Sequence, residues 1–451
     1  MNETNTTPAA EVTTASAEGT AVSAPAKKDS MFNIPAFWKV QQRDWKVTVV
    51  RTSLERLAYQ MIYPYLSIYI VALGAQKTQL GIITSLGMIL AGLLGPFTGQ
   101  LIDRRGPKNV YLVGISMLIA AYLAYAAAPI WQVAAVGMII YYLGQGTGGH
   151  SCATICGNCL ANCDRAKGML VCESLAAGLL GMVGPMLSGW ILVYFMGVKG
   201  TPSKPGEIRP LFYIALGITL ISLLVVIFKL SSNKWESNTA AQKHGNTLKE
   251  GLAILKCDKN TIKWLVIGTI SGLPMGMVLP YVQLFAAEQK GASAATLAIM
   301  VTATALTSVV CGYPIGVLSD KFGRKKVLFI TIPLFLLSNV VLILAKSPAM
   351  LIFAGILQGF FNIGTTLSAT IARELVPQRI MGRWLGINRL VSSLFSALMA
   401  VVSGMIYDGF GAQYVFIAYI VLDLCIRVPL LLSLPETLTY KVNEEAFAGV
   451  E

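Results

Sequence analysis

The sequence predicts an all-α membrane protein, with twelve transmembrane helices arranged as two pseudo-symmetric six-helix halves. Three observations carry this expectation. The 451 residues are 55% hydrophobic and only 13% charged, outside the range of soluble domains of this size. About twelve apolar runs of ~20 residues, each long enough for a ~30 Å hydrocarbon layer, take up most of the chain. A short charged stretch, GQLIDRRGPK from Gly99 to Lys108, returns half a chain later as GVLSDKFGRK from Gly316 to Lys325.

The runs fall near 47–73, 78–101, 109–128, 132–155, 169–196, 210–231, 262–286, 293–316, 326–346, 349–372, 384–407 and 413–434. They divide the chain into a polar tail (1–45, its start expected to be disordered), an N-terminal six-helix half (46–231), a central loop (232–261), a C-terminal half (262–436) and a second tail (437–451). The start lacks the basic-then-apolar pattern of a cleaved signal peptide. The net charge of +13 is a topology signal and implies no nucleic acid. Lys39, Arg43 and Lys46 precede span 1, Arg165 and Lys167 follow span 4, lysines fill the central loop, and Arg373, Arg379 and Arg383 follow span 10. The positive-inside rule then makes both tails and the central loop cytoplasmic.

Span 1 carries Arg51, Glu55 and Arg56 in its inner third, followed by Tyr59, Gln60, Tyr63 and Tyr65. Ionisable groups at that depth are costly and face a bundle interior or a water-filled cavity. Arg51 and Glu55 are four residues apart, so a pair on one helix face and a direct role in coupling both remain open. Span 4 reads YYLGQGTGGHSCATICGNCLANC, with glycines for close packing, His150 as a titratable group, and Cys152, Cys156, Cys159 and Cys163 on one stripe. A continuous helix spreads that stripe over ~16 Å, too far for one tetrahedral ion. Small-residue packing, metal or redox sensing, and a disulfide stay as alternatives. In span 5, Gly178, Gly181, Gly184 and Ser188 are expected to line one face, with Pro185 weakening the ladder.

Span 7 repeats span 1. Pro64-Tyr65-Leu66 aligns with Pro280-Tyr281-Val282 at an offset of 216, Asp103 with Asp320 at 217, and Ala153-Thr154-Ile155 with Ala369-Thr370-Ile371 at 216. Gln283 in span 7 and Gln358 and Asn362 in span 10 are polar at helix depth, and Asp423 and Arg427 in span 12 are four apart and read as a structural ion pair. In the charged loops, a small residue (Gly99, Gly316) lets another helix come close, Gly106 and Gly323 supply the turn, and Asp103 and Asp320 can accept N–H groups from a neighbouring helix N-terminus.

Both loops resemble the G-x-L-x-D-R/K-x-G-R/K-R/K signature of the major facilitator superfamily, the first departing from it at Pro107. The resemblance covers roughly 45–436. It implies a secondary transporter working by alternating access, with Gly99, Asp103, Arg104, Gly106, Lys108, Gly316, Asp320, Lys321, Gly323 and Arg324 in its conformational-switch loops. It also implies that spans 1, 4, 7 and 10 line a cavity. Tyr59, Gln60, Tyr63, Tyr142, Gln145, Gln283, Gln358 and Asn362 would then face substrate. The family's R-x-x-Q-G-x-G pattern in span 4 has Tyr142 in place of the arginine, which leaves Glu55, Arg56 and His150 as coupling candidates. Gly178, Gly181, Gly184, Pro185 and Gly189 resemble the motif of the drug/proton antiporter branch. The offset of 216 pairs Glu173 with Arg389. A latch is expected in which Asp103 docks beside Arg389, and Lys321 or Arg324 by Glu173, when the inner face is shut.

The expected function is proton-coupled efflux of an amphipathic, drug-like compound across the cytoplasmic membrane, by a monomer without cofactor or metal. Import of a nutrient or metal chelate, and a non-transporting sensor, are the alternatives. No P-loop, Gly-x-Ser-x-Gly elbow or His-Glu-x-x-His points to an enzyme.

Overall fold

The computed structural model describes residues 38–160, 172, 177–231, 259–377, 380–434 and 436. Most of both tails, the central loop, Cys163, Glu173 and Arg379 lie outside the described residues, as do the side chains of Asp103 and Arg383. The chain divides into two units, Met1–Gln41 and Gln42–Glu451, and the helix bundle is the second of them.

Every extended element described is helical. In chain order these are α1 (Arg43–Ala72), α2 (Lys77–Arg105), α3 (Pro107–Ala127), α4 (Trp131–Cys159), α5 (Ala177–Trp190), α6 (Pro205–Lys229), α7 in three pieces (Lys259–Gly272, Pro274–Met277, Leu279–Glu288), α8 (Ala294–Phe322), α9 (Arg324–Leu344), α10 (Pro348–Glu374), α11 (Met381–Gly409) and α12 (Ala412–Leu422). Among the described residues, ten helices are long and apolar enough to cross a membrane. α1 and α4 are as long, at 30 and 29 residues, and hold many of the polar groups of the candidate site.

The irregularities have local causes. Pro274 and Pro280 each lack the N–H that a continuous ladder needs, and α7 breaks beside both. α12 widens into a π-helical turn over Asp423–Arg427 before ending as Val428–Leu432. The ring of Pro429 would meet the Cys425 carbonyl in a regular helix, and the wider turn relieves that clash. α5 also ends in a π-helical turn, Ile191–Phe195.

The charged loops are one-residue turns. Gly106 (φ +82°) and Gly323 (φ +106°) occupy a region closed to other residues, and a Cβ on Gly323 would stand 2.5 Å from the Glu436 carboxylate. We call this the motif end of the bundle, and the opposite end, with Gly74 and Gly291, the far end. At the motif end Lys108 donates to the carbonyls of Ile227 (3.2 Å) and Leu230 (2.6 Å), where α6 finishes. Lys325, 217 residues on, does the same for Leu432 (3.0 Å) and Leu434 (2.5 Å) at the end of α12. A cation on unpaired C-terminal carbonyls is favourable on both hydrogen-bond and dipole grounds.

Packing repeats in the same way. α3 lies along α4 and α6, and α9 along α10 and α12. Small residues set the closest crossings. A Cβ on Gly184 of α5 would meet the Leu57 carbonyl of α1 at 2.8 Å, and one on Gly276 of α7 would meet the Ser396 carbonyl of α11 at 2.1 Å. On α10, Gly355 and Gly359 give the same close approach to α8, where Thr304 and Ser308 donate to their carbonyls at 2.9 and 3.1 Å. The leading helices α1–α6 meet the trailing helices α7–α12 chiefly through α2 on α11 and α5 on α8, one pairing being the other under the 216-residue shift.

Candidate functional site

The first part of the site is a tyrosine cluster. Tyr59 of α1 stacks on Tyr141 of α4, with centroids 5.1 Å apart and rings 14° from parallel. Tyr63 lies 5.6 Å from Tyr59, Tyr142 6.2 Å from Tyr141, and Tyr122 of α3 6.1 Å from Tyr141. Gln145, one turn along α4, donates to the Tyr141 hydroxyl at 2.6 Å. The Tyr142 ring presses onto α2 where Gly87 has no side chain; a Cβ there would stand 2.3 Å from it. Of the residues expected to face substrate, Tyr59, Tyr63, Tyr142 and Gln145 therefore form one group. Tyr141 and Tyr122 complete it and were not singled out from sequence, although Tyr141 precedes Gln145 by one helical turn.

The remaining cavity candidates are placed differently. Gln60 turns toward α5, its Cγ 3.7 Å from where a Cβ on Gly181 would be. Gln358 is buried, and Gln283 is buried with an Oε1 that has no hydrogen-bond partner among the described residues. Asn362 is exposed and donates to Ser308 at 3.0 Å.

Near the motif end of α1, Glu55 and Arg51 form a buried ion pair. The Arg51 guanidinium sits 4.5 Å above the Tyr111 ring of α3 and reaches α4 at Gly148, where a Cβ would be 3.0 Å from Nη2. Arg56 points to an exposed position. His150 keeps Nδ1 2.6 Å from the Gly146 carbonyl of its own helix, and a Cβ on Gly95 of α2 would stand 3.8 Å from its ring. Glu55 thus has a partner on its own helix, while Arg56 and His150 are separate from that pair.

The seam between leading and trailing helices is closed at the far end. Asp408, at the end of α11, accepts from both the backbone N–H (2.8 Å) and the hydroxyl (2.7 Å) of Thr78 in the first turn of α2. Lys77 pairs with Glu288 of α7 at 3.3 Å, and the Tyr407 hydroxyl donates to the same carboxylate at 3.0 Å. Tyr281 donates to the Lys77 and Ala400 carbonyls, both at 3.2 Å. On the other seam the Ala294 N–H donates to the Gly200 carbonyl at 3.0 Å, and Tyr65 donates to the Ala294 carbonyl at 2.8 Å. A Cβ on Gly189 of α5 would touch Ala298 of α8 at 2.7 Å.

A Cβ on Gly92 would stand 3.9 Å from the Ser393 Cβ, and among the described residues nothing lies within 4 Å of a Cβ on Gly99, Gly312, Gly316 or Gly386. The chain before α5 and before α11, from which partners for Gly316 and Gly99 would come, lies largely outside the described residues. Arg389, Arg104, Asp320 and Lys321 are exposed. Arg324 pairs with Glu374 at the end of α10 and with Asp320 at 3.4 Å, and Glu173, its expected latch partner, lies outside the described residues. The span 5 motif also differs from expectation. Gly178 faces Val309 of α8, whereas Gly181 and Gly184 face α1. Three helical residues turn 300°, so a stripe at that spacing winds from one neighbour to the next.

The sequence profile described as Major Facilitator Superfamily matches residues 52–273 and 264–449. The chain belongs to that superfamily. The transporter is 24% identical over 397 residues to the "Multidrug resistance protein MdtG" of Salmonella schwarzengrund (strain CVM19633), covering 85% of this chain and 93% of the relative. It is 25% identical over 396 residues to the protein of the same name from Salmonella arizonae, with the same coverage. Its fold resembles the solved nucleoside transporter NupG, at TM-score 0.68 and 14% identity, over 88% of this chain and 99% of that one. It also resembles the D-xylose-proton symporter, at TM-score 0.65 and 17% identity, over 89% and 99%. The transporter is thus a multi-pass membrane protein.

Proposed function

We propose that this chain is a proton-coupled exporter of amphipathic, drug-like compounds, built as two six-span halves that alternate access across the cytoplasmic membrane with both tails inside. The observation that carries the reading is the closure of the seam at the far end, where Asp408 holds Thr78 and Glu288 holds Lys77. With the basic motif end on the cytoplasmic side, closure at the far end fits a state that loads substrate from within. The tyrosine cluster offers flat, polarisable faces with few charges, a surface suited to aromatic or lipophilic cations rather than to sugars. The resemblance to multidrug resistance proteins supports the same substrate class.

Coupling is assigned to the Glu55–Arg51 pair. Protonation of Glu55 would release Arg51 and loosen the join between α1, α3 and α4, so substrate and proton would compete through the geometry of α1. The test is proton release from purified protein in lightly buffered solution on addition of a lipophilic cation. Release by the wild type, lost in an Arg51→Gln/Glu55→Gln double variant that still binds the cation, supports the reading. Equal release by that variant removes Glu55 from coupling. Release with a sugar or a chelate, but not with cations, would favour import.

A further inference from the structure

We infer that Cys152, Cys156 and Cys172 form a three-sulfur binding site for a thiophilic trivalent ion of the arsenite or antimonite class. The three Sγ atoms lie within 4.8 Å of one another and all three residues are buried. Two come from successive turns of α4, and the third, Cys172, lies beyond the end of α4 in the chain, so the cluster is not one that the α4 stripe alone could make. Cys159, on the same stripe, is not in the group. Thr52 of α1 holds the Cys152 sulfur at 3.6 Å and fixes the side of the cluster facing α1.

Sulfur-only donors select soft ions. Charge then decides among them, since the site is buried and the only described cation beside it, Arg51, is already paired with Glu55. Three thiolates around a divalent ion leave one net negative charge, and around a monovalent ion two, each costly in a low-dielectric interior. Arsenite, As(OH)₃, instead exchanges three As–O bonds for three As–S bonds. Each thiol proton leaves with a hydroxide as water, arsenic stays trivalent, and the product is neutral. The bound ion would tie Cys172 to α4. This proposal is independent of the drug-efflux reading.

The test uses the full-length protein, reduced, incubated with arsenite, freed of excess reagent and assayed for bound arsenic by mass spectrometry. One arsenic per chain is expected, with affinity falling about a hundredfold in Cys172→Ser as chelation by the third sulfur is lost. Cys425→Ser, at an exposed position, should bind as wild type. X-ray absorption on the wild-type complex needs no variant and should give three sulfur neighbours. Absence of bound arsenic, unchanged binding by Cys172→Ser, or oxygen in the first shell would overturn the site. Tighter Cys172-dependent retention of zinc than of arsenite would overturn the choice of ion.

Discussion

Replacing Asp408 by Ala should shift the transporter toward the state open at its far end. Asp408 acts as an N-cap donated by another helix: its carboxylate satisfies the Thr78 N–H and hydroxyl in the first turn of α2, where the helix dipole also favours negative charge. Loss of a capping carboxylate costs about 0.5–2 kcal/mol, and the exposure of this contact argues for the lower part of that range. Taking about 1 kcal/mol, the closed-to-open ratio changes about fivefold. The Lys77–Glu288 pair, with side chains a quarter or so exposed, adds at most about 1 kcal/mol and remains in place. The readout is a cysteine at position 400. Ala400 is fully buried behind Gly81 and the Tyr281 hydroxyl, so a membrane-impermeant maleimide reaches it only when the seam parts. With Asp408→Ala the labelling rate should rise about fivefold over the Ala400→Cys parent. Asp408→Asn, which keeps an acceptor, should fall between. Equal rates in all three proteins would refute the assignment of Asp408 as a closing contact.

Three other outcomes are expected from the same geometry. Gly87→Ala should overpack the site against Tyr142, lowering stability by about 1–3 kcal/mol in thermal unfolding, and Tyr142→Ala in the same chain should recover most of it. Glu55→Gln should destabilise by roughly 3–5 kcal/mol because Arg51 is left buried without its counter-charge, while Arg51→Gln with Glu55→Gln should be markedly milder. Gly99→Ala should leave the melting temperature of this state unchanged, since among the described residues nothing lies within 4 Å, and yet slow transport if α2 closes on the opposite group during the cycle; an unchanged transport rate would exclude a close approach at that residue.

Much of the bundle was legible in the sequence because a membrane restricts the chain so strongly. Unpaired backbone groups are intolerable in hydrocarbon, so each long apolar run could be read as a helix. The equivalence of Lys108 and Lys325 in the two charged loops was legible, but not that each caps the end of a helix, α6 and α12. What escaped the sequence was whatever depends on partners far apart in the chain. Asp408 and Thr78 are 330 residues apart, with nothing local to announce their contact. Tyr141 and Tyr142 are adjacent, but only helix orientation decides that one stacks on Tyr59 while the other lies on Gly87. Cys172 carries no helical periodicity with the α4 stripe, so its place beside Cys152 and Cys156 has no local signal. The Gly178–Gly184 stripe was read as one face when its step of three makes it wind.

The two lysine clasps bear on how this protein could be handled experimentally. Lys108 and Lys325 each join a charged loop to the last helix of its own group, so the surface around each should travel as one piece whatever the access state. An antibody fragment raised against either patch would serve as a neutral fiducial for imaging, adding mass without choosing a conformation. One raised across Thr78 and Asp408 would recognise a surface that exists only while the seam is shut, and would act as an inhibitor by clamping it.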